Sequence, residues 1–273
     1  MEIGNWNRME VTAIESEGIY LTDGLDEALL PARFAPGNVK PGNAIEVFIY
    51  TDNDGNKIAT TEKPNAFAGD FTYMRVKEVN EHGAFLGWGI SKDLFLPYSE
   101  QRGALQKGEY VVVFIYVDKK SSRVAATQRW QKHLKEEITV KEGDEVELLI
   151  AEESALGYKA IINNSYEGLL YRNEVFEELE PGDRRKGYIR VIRDDGKIDL
   201  RLHKEGYAQV EDLKSKILEA LKNCNGKLPL GDKSDANQIY SLLGISKKAF
   251  KKTIGALYKE RKITISDTET KLL

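Results

Sequence analysis

Residues Pro41–Tyr50 read PGNAIEVFIY, residues Lys107–Tyr116 read KGEYVVVFIY, and residues Pro181–Arg190 read PGDRRKGYIR. The offsets are 66 and then 74 residues. Each stretch runs on through a turn into a second β-rich run, at Lys57-Ile58, Arg123-Val124 and Lys197-Ile198, and the three copies need no gap across this span. A period of this size makes each copy one supersecondary unit, so the repeat decides the architecture.

Working upstream, Leu30-Pro31, Leu96-Pro97 and Leu170-Tyr171 fall into register, each preceded by an acidic residue at Glu27, Asp93 or Glu167. Gly18-Ile19-Tyr20-Leu21 matches Gly83-Ala84-Phe85-Leu86, and Gly157-Tyr158-Lys159-Ala160 is a weaker third copy. Each unit therefore contains five short runs, which in the first copy are Met9–Ile14, Gly18–Thr22, Ala28–Pro31, Ala44–Thr51 and Lys57–Thr61. Runs rich in β-branched and aromatic residues, punctuated by Gly, Asn and Asp, predict strands and turns. Five strands in about 65 residues suit a small closed barrel of the OB type. A solenoid is the alternative, although its repeats are usually shorter and more uniform.

After Leu202 the apolar period changes. Val210, Leu213, Ile217 and Leu221 recur at helical spacing, ended by Asn225-Gly226. Leu228-Pro229-Leu230 suits a short strand, and a second helix follows Ser234 through Ile239, Leu242 and Leu243 to Gly244. Ser246 is a credible N-cap for a third helix with Phe250, Ile254 and Leu257 as its buried stripe. Residues 262–266 and 270–273 then read as a hairpin around Asp267-Thr268-Glu269, which completes the element order of a winged helix. The predicted fold is mainly β. It comprises three tandem barrels, over 1–64, 65–133 and 134–207, and a small α/β winged-helix domain over 208–273.

Glu167-Gly168-Leu169-Leu170-Tyr171-Arg172-Asn173-Glu174 resembles the third-strand signature of the S1 domain, and Gly83-Ala84-Phe85 resembles its second-strand Gly-aromatic signature. Three S1-like OB barrels followed by a winged helix resemble the bacterial conserved virulence factor B (CvfB) family of RNA-binding proteins, over essentially the whole chain. The resemblance implies regulatory RNA binding without catalysis. It also implies a base-stacking position, where many S1 domains carry a histidine. Pro31 and Pro97 stand there in the first two copies and Tyr171 in the third. Conversely, the second-strand aromatic is present as Tyr20 and Phe85 but is Lys159 in the third copy.

Hydrophobic residues make up 41% of the chain and charged residues 31%, the balance of a folded chain rather than a disordered one. No stretch approaches the ~20 consecutive apolar residues that span a bilayer, and no secretory leader pattern is present, so a cytoplasmic protein without membrane association is expected. Cys224 is the only cysteine, which excludes an internal disulfide or a thiolate metal cluster and suits a small packing residue near a helix end. His82, His133 and His203 show no metal-ligand spacing. No cofactor, metal, small-molecule substrate or catalytic set is expected.

The net charge of −4 hides an asymmetry. Residues 1–181 carry 19 Lys/Arg against 31 Asp/Glu, whereas 182–273 carry 21 against 13. The basic excess begins in the fourth strand of the third barrel, at Arg184, Arg185, Lys186 and Arg190, with Tyr188 among them. Together with Lys159, Tyr171, Arg172 and Arg201, these residues predict a track for single-stranded RNA, with cations at phosphates and aromatic rings under bases. Lys197, Asp199 and Arg201 alternate with Ile198, Leu200 and Leu202 as a charged face against a packed one.

On the third helix, Lys247, Lys248, Lys251, Lys252 and Lys259 extend the basic surface, unless they form only a solvated face. The second barrel, +3 over 65–133, offers Phe85, Tyr98, Arg123 and Arg129 as a secondary contact. The first barrel, with 5 basic and 11 acidic residues over 1–64, should repel phosphate, and its Tyr20, Phe48 and Tyr50 suit packing.

Other readings stay open. The winged helix suits a DNA-binding regulator, although its third helix offers no exposed Arg, Asn or Gln for bidentate base readout. The acidic first barrel suits docking to a ribosome or another basic partner. Asp194, Asp195 and Asp199 form the tightest acidic cluster, for which a turn is the ordinary explanation.

Overall fold

The computed structural model describes residues 1–175, 178–203 and 207–273, with backbone alone over 207–212. Barrel 1 is built from β1 (Trp6–Ile14), β2 (Gly18–Thr22), β3 (Glu27–Pro31), β4 (Ala44–Thr51) and β5 (Lys57–Thr60). Barrel 2 has β6 (Phe71–Asn80), β7 (Gly83–Leu86), β8 (Leu94–Pro97), β9 (Tyr110–Val117) and β10 (Val124–Thr127). Barrel 3 has β11 (Glu145–Glu153), β12 (Gly157–Ile162), β13 (Tyr166–Tyr171), β14 (Arg184–Ile192) and β15 (Ile198–Arg201). In all three, the first three strands form a meander, the third and fifth pair in parallel, and the fourth pairs with the fifth and the first to close the barrel.

The repeated Gly-polar turn that identifies the copies has a structural task. Gly42, Gly108 and Gly182 adopt φ of 85°, 96° and 99°, a region that favours glycine. Each donates its N–H at 2.8 Å to the first strand of its barrel, at the carbonyls of Val11, Val76 and Ile150. The same three residues begin the β-bulges of those strands. A bulge bends a strand, and the turn pins that bend where the barrel must close. A second glycine recurs at Gly18, Gly83 and Gly157. There a Cβ would lie 2.0–2.4 Å from the carbonyl oxygen of Leu30, Leu96 or Leu170, so only glycine permits the strand contact.

Each barrel has its own apolar filling from inward-facing residues, with Val11, Leu21 and Leu30 in the first, Val76, Leu86 and Leu96 in the second, and Ile150, Ala160 and Leu170 in the third. Further contacts join the three into one unit, Met1–Leu202. Phe48 of barrel 1 is fully buried, with its ring edge-on to Trp88 of barrel 2 at 5.2 Å. Barrels 2 and 3 share a cluster of Phe71, Val112, Trp130, Leu149 and Ile161. Across that junction the Asn164 side chain accepts from Phe71 N at 2.7 Å and donates to Gly69 O at 2.8 Å. The expected packing role of Phe48 and Tyr50 is what the structure shows, whereas Tyr20 is half-buried on the outer face.

The second unit, His203–Leu273, is a winged helix. It consists of α1 (Tyr207–Asn223), β16 (Lys227–Leu228), α2 (Ala236–Leu243), α3 (Lys247–Lys259), β17 (Ile263–Ile265) and β18 (Thr270–Leu272). The strands form a small sheet in the order β16-β18-β17. Ile217, Leu221, Ile239, Phe250, Ile254 and Leu257 meet in one core. Val210 lies outside the described side chains. Asp235 caps α2 by accepting from Asn237 N, and Ser246 caps α3 as expected. Cys224 is exposed, contrary to the packing role inferred for it, and lies in the turn that follows the last residue of α1.

Candidate nucleic-acid interface

The second and third strands of each barrel present one equivalent outward cross-strand pair. It is Tyr20 with Leu29 in barrel 1, Phe85 with Phe95 in barrel 2, and Lys159 with Leu169 in barrel 3. Barrel 2 alone of the three has two aromatics at this pair. The Phe85 and Phe95 rings lie 5.3 Å apart at 41° and are half-buried. They line a groove of about 490 Å³ that also takes in Tyr116 and the side chains of Lys92 and Arg123.

One wall of this groove belongs to barrel 1. Arg123 donates to the Asn53 carbonyl, Thr51 Oγ1 donates to Ser122 O at 3.1 Å, and Lys92 Nζ stands 5.9 Å from the Tyr50 ring centroid. Burial holds the Lys92 ammonium below its ordinary range and raises the Tyr50 and Tyr116 phenols. The site therefore combines a partly desolvated ammonium, an exposed guanidinium and ring faces, a combination suited to unstacked bases on a phosphate backbone. Tyr98 and Arg129 are exposed nearby in sequence, and Arg129 Nε is engaged with Ser99 O at 2.9 Å. Phe95, Lys92 and Tyr116 were not among the sequence candidates. Phe95 was legible, since Leu94 and Leu96 face inward and alternation turns Phe95 outward beside Phe85.

Barrel 3 has a groove of about 660 Å³ on the same face, floored by Lys159, Leu169 and Asp199 and bordered by Leu134 and Ile138 of the inter-barrel segment. Tyr171 is half-buried, and its hydroxyl accepts from Arg193 and lies 3.4 Å from Asp199 Oδ1. Arg193 and Asp199 form an ion pair at 2.8 Å that raises the guanidinium further. The alternation predicted for β15 needs correcting here. Asp199 is only 9% exposed, because Arg193 and Tyr171 fold over it.

The other cations of this barrel are largely engaged. Arg172 pairs with Glu153 at 2.9 Å, Arg185 with Asp183 at 3.0 Å, Lys186 with Glu145 at 2.8 Å, and Arg190 with Glu174 at 2.5 Å. Arg184 is exposed and reaches Phe71 O at 3.4 Å, while Arg201 is half-buried at the end of β15. Tyr188 donates to Glu145 Oε2 at 3.0 Å, which pushes the phenol upward. The predicted residues thus divide between two faces, with Lys159 and Tyr171 on β12–β13 and Arg184, Lys186, Tyr188 and Arg190 along β14. The pairing partners lie 2 to 41 residues away in sequence, which is why charge counting did not show them.

In the winged helix, Phe250, Ile254 and Leu257 are buried, and Lys248, Lys251, Lys252 and Lys259 are exposed on the other side of α3. Lys251 pairs with Asp232 at 3.0 Å, and Lys247 is half-buried. Among the described residues, Lys248, Lys252 and Lys259 have no carboxylate within 4.0 Å. This unit carries 14 Lys/Arg against 9 Asp/Glu, whereas Met1–Leu202 carries 26 against 35. Among the described residues no group of three His, Cys, Asp or Glu could hold a metal ion, and no helix is long and apolar enough to cross a membrane.

Comparison with known proteins agrees with this architecture. The S1 domain family matches residues 3–62 and 68–128, and the CvfB-like winged helix domain family matches residues 215–272. YitL of Bacillus subtilis is 27% identical over 260 residues, spanning 90% of this chain and 85% of its own. Conserved virulence factor B of Staphylococcus aureus (strain USA300) is 24% identical over 241 residues, or 82% and 77% of the two chains. A crystal structure of a multidomain protein with nucleic acid binding domains from Streptococcus pneumoniae covers 99% of this chain and 98% of its own, at 21% identity and a TM-score of 0.43. S1 and winged-helix domains are nucleic-acid-binding types rather than catalytic families.

Proposed function

We propose, for a chain that belongs to the CvfB family, that it is a non-catalytic regulatory protein of the cytoplasm that binds single-stranded RNA. The observation that carries this reading is the Phe85–Phe95 platform, set in a concave groove with Lys92 and Arg123 at its side. Each base stacked on such a ring contributes about 1–3 kcal/mol, and cations beside the rings meet the phosphates between the bases. Base faces are free for this only in single strands, since a duplex hides them in its own stack.

Barrel 3 sets one stacking plane, the Tyr171 ring, among its cations, and α3 contributes charge alone. Lys159 replaces the barrel 2 aromatic, and Lys248, Lys252 and Lys259 offer cations that need not abandon a carboxylate to meet a phosphate. Binding of this kind is strongly salt-dependent and reads little sequence.

Fluorescence anisotropy of the full chain with single-stranded RNA, single-stranded DNA and duplex DNA of equal length tests the reading. The expected order places RNA first and duplex last, with labelled RNA intact after incubation with Mg²⁺ or Mn²⁺. Tighter binding to duplex DNA would instead make the chain a DNA-binding regulator acting through α3. RNA cleavage abolished by Asp199→Ala would overturn the non-catalytic role. Ribosome association that survives nuclease treatment would favour a protein partner for barrel 1.

A further inference from the structure

We propose that the barrel 3 groove recognises guanine, with Glu167 as the reading group. This rests on the reading that barrel 3 contributes to binding single-stranded RNA. An acid stands before the third-strand Leu in every copy, and Asp93 of barrel 2 is the counterpart of Glu167 at the 74-residue offset. In barrel 2 that acid is neutralised. Lys77 Nζ lies 2.9 Å from Asp93 Oδ1, an ion pair whose alignment falls short of a hydrogen bond.

Lys77 sits inside the bulge between Val76 and Glu78, and the matching bulge of barrel 3 lies between Ile150 and Glu152. The residue inside it is Ala151. Glu167 has therefore kept the position and lost the cation. Its Oε2 is buried and, among the described residues, has no hydrogen-bond donor. The nearby lysines do not supply one, since Lys159 pairs with Glu152 at 3.7 Å and Lys197 with Asp195 at 2.7 Å.

Glu167 lines the groove together with Lys159, Leu169, Arg193 and Lys197. A buried carboxylate oxygen without a donor costs free energy that a ligand carrying N–H groups recovers. Lys135 also lines the groove and, among the described residues, has no carboxylate within 4.0 Å, so it favours a ligand whose remainder is anionic and disfavours a basic peptide. Both demands are met by a nucleotide whose base presents donors. Among the four RNA bases, guanine alone has two adjacent donors, N1–H and N2–H, on its Watson–Crick edge, which a carboxylate accepts bidentately. Adenine, cytosine and uracil each set an acceptor beside the donor, where it faces a carboxylate oxygen of like charge. Leu169 provides the apolar surface under the ring. Barrel 2, with its acid already paired, would stack bases without this preference.

The experiment measures binding of the full chain to a short oligouridylate and to the same strand carrying one central guanosine, inosine or adenosine. Guanosine should tighten binding about tenfold, in the range of a bidentate base contact. Inosine, which lacks the N2 amino group, should lose most of that gain, and adenosine all of it. Glu167→Gln keeps the side-chain shape and should erase the guanosine gain, leaving oligouridylate affinity equal or higher because one negative charge near the phosphates is gone. Equal binding of guanosine and adenosine strands by the wild type overturns the proposal, as does a guanosine preference that survives Glu167→Gln, while single-strand binding itself stands. No binding to any strand overturns the RNA reading together with it. Capture of oligoarginine that is lost in Glu167→Gln would make the groove a basic-peptide site instead.

Discussion

Phe85 on β7 and Phe95 on β8 are direct cross-strand partners, and their rings meet at 5.3 Å on the outer face of barrel 2. The same two places hold Tyr20 and Leu29 in barrel 1 and Lys159 and Leu169 in barrel 3. Phe85→Ala and Phe95→Ala should each weaken single-stranded RNA binding by about 1–3 kcal/mol. Both residues lie outside the closed core, so the thermal midpoint should move far less than the affinity. Unchanged affinity in both variants would remove barrel 2 from the binding surface.

Tyr171 has two separable parts. Its ring is proposed as a base platform, and its hydroxyl joins Arg193 to the buried Asp199. Tyr171→Phe should leave RNA affinity near that of the wild type and cost about 0.5–1.5 kcal/mol of stability, the usual net value of one hydrogen bond. Tyr171→Ala should lower affinity by about 1–3 kcal/mol as well. If the two variants lose equal affinity, the hydroxyl network positions the site and the ring does not stack.

The α3 lysines differ in what they must give up to bind phosphate. Lys248 and Lys252 have no carboxylate within 4.0 Å among the described residues, whereas Lys251 is paired with Asp232. Replacing Lys248 and Lys252 by Glu should weaken binding across RNA sequences, while Lys251→Glu alone should do less. Each lost phosphate contact should reduce the magnitude of the log-affinity against log-salt slope by about 0.7 for a single strand. Silent reversals, or a fragment 1–133 that binds as tightly as the full chain, would place the phosphate track on the N-terminal barrels.

His133, in the turn Trp130–His133 that links barrels 2 and 3, stacks on Phe114 at 4.3 Å and on Tyr116 at 5.6 Å. Burial, followed by the charge of Lys132, holds its imidazole below the ordinary histidine range, with Glu100 opposing. The unfolded chain therefore binds this proton more readily than the folded one. The stability contribution is complete above the unfolded value of about 6.5 and is lost as pH falls through the lower folded value. Urea midpoints should fall from about pH 7.5 to 5.5 in the wild type and less so in His133→Phe. Parallel midpoints in the two proteins would show that other groups govern this range.

Much of the fold was readable because its determinants are local and recur. Gly18–Thr22 and Ala44–Thr51 are strands with the predicted limits, since turn residues bracket an uninterrupted β-rich run. Ser246 caps α3 through a hydrogen bond to Ala249 N at 3.2 Å, and that geometry depends on only four consecutive residues. Half of the aromatic platform was readable too, since Phe85 carried the repeat signature. Phe95 needed the alternation of Leu94 and Leu96 to be followed outward as well as inward.

Three copies of a five-strand barrel, a winged helix after them and a basic C-terminal third were legible in the chain alone, because they depend on short-range pattern and composition. Tertiary structure alone decided which charges are available. Arg190 meets Glu174, Lys186 meets Glu145, Arg193 covers Asp199, and Glu167 is left without a cation because Ala151 stands where Lys77 does one barrel earlier. Ion pairing falls off with distance in space, not along the chain, and barrel closure sets those distances by bringing together strands that are far apart in sequence.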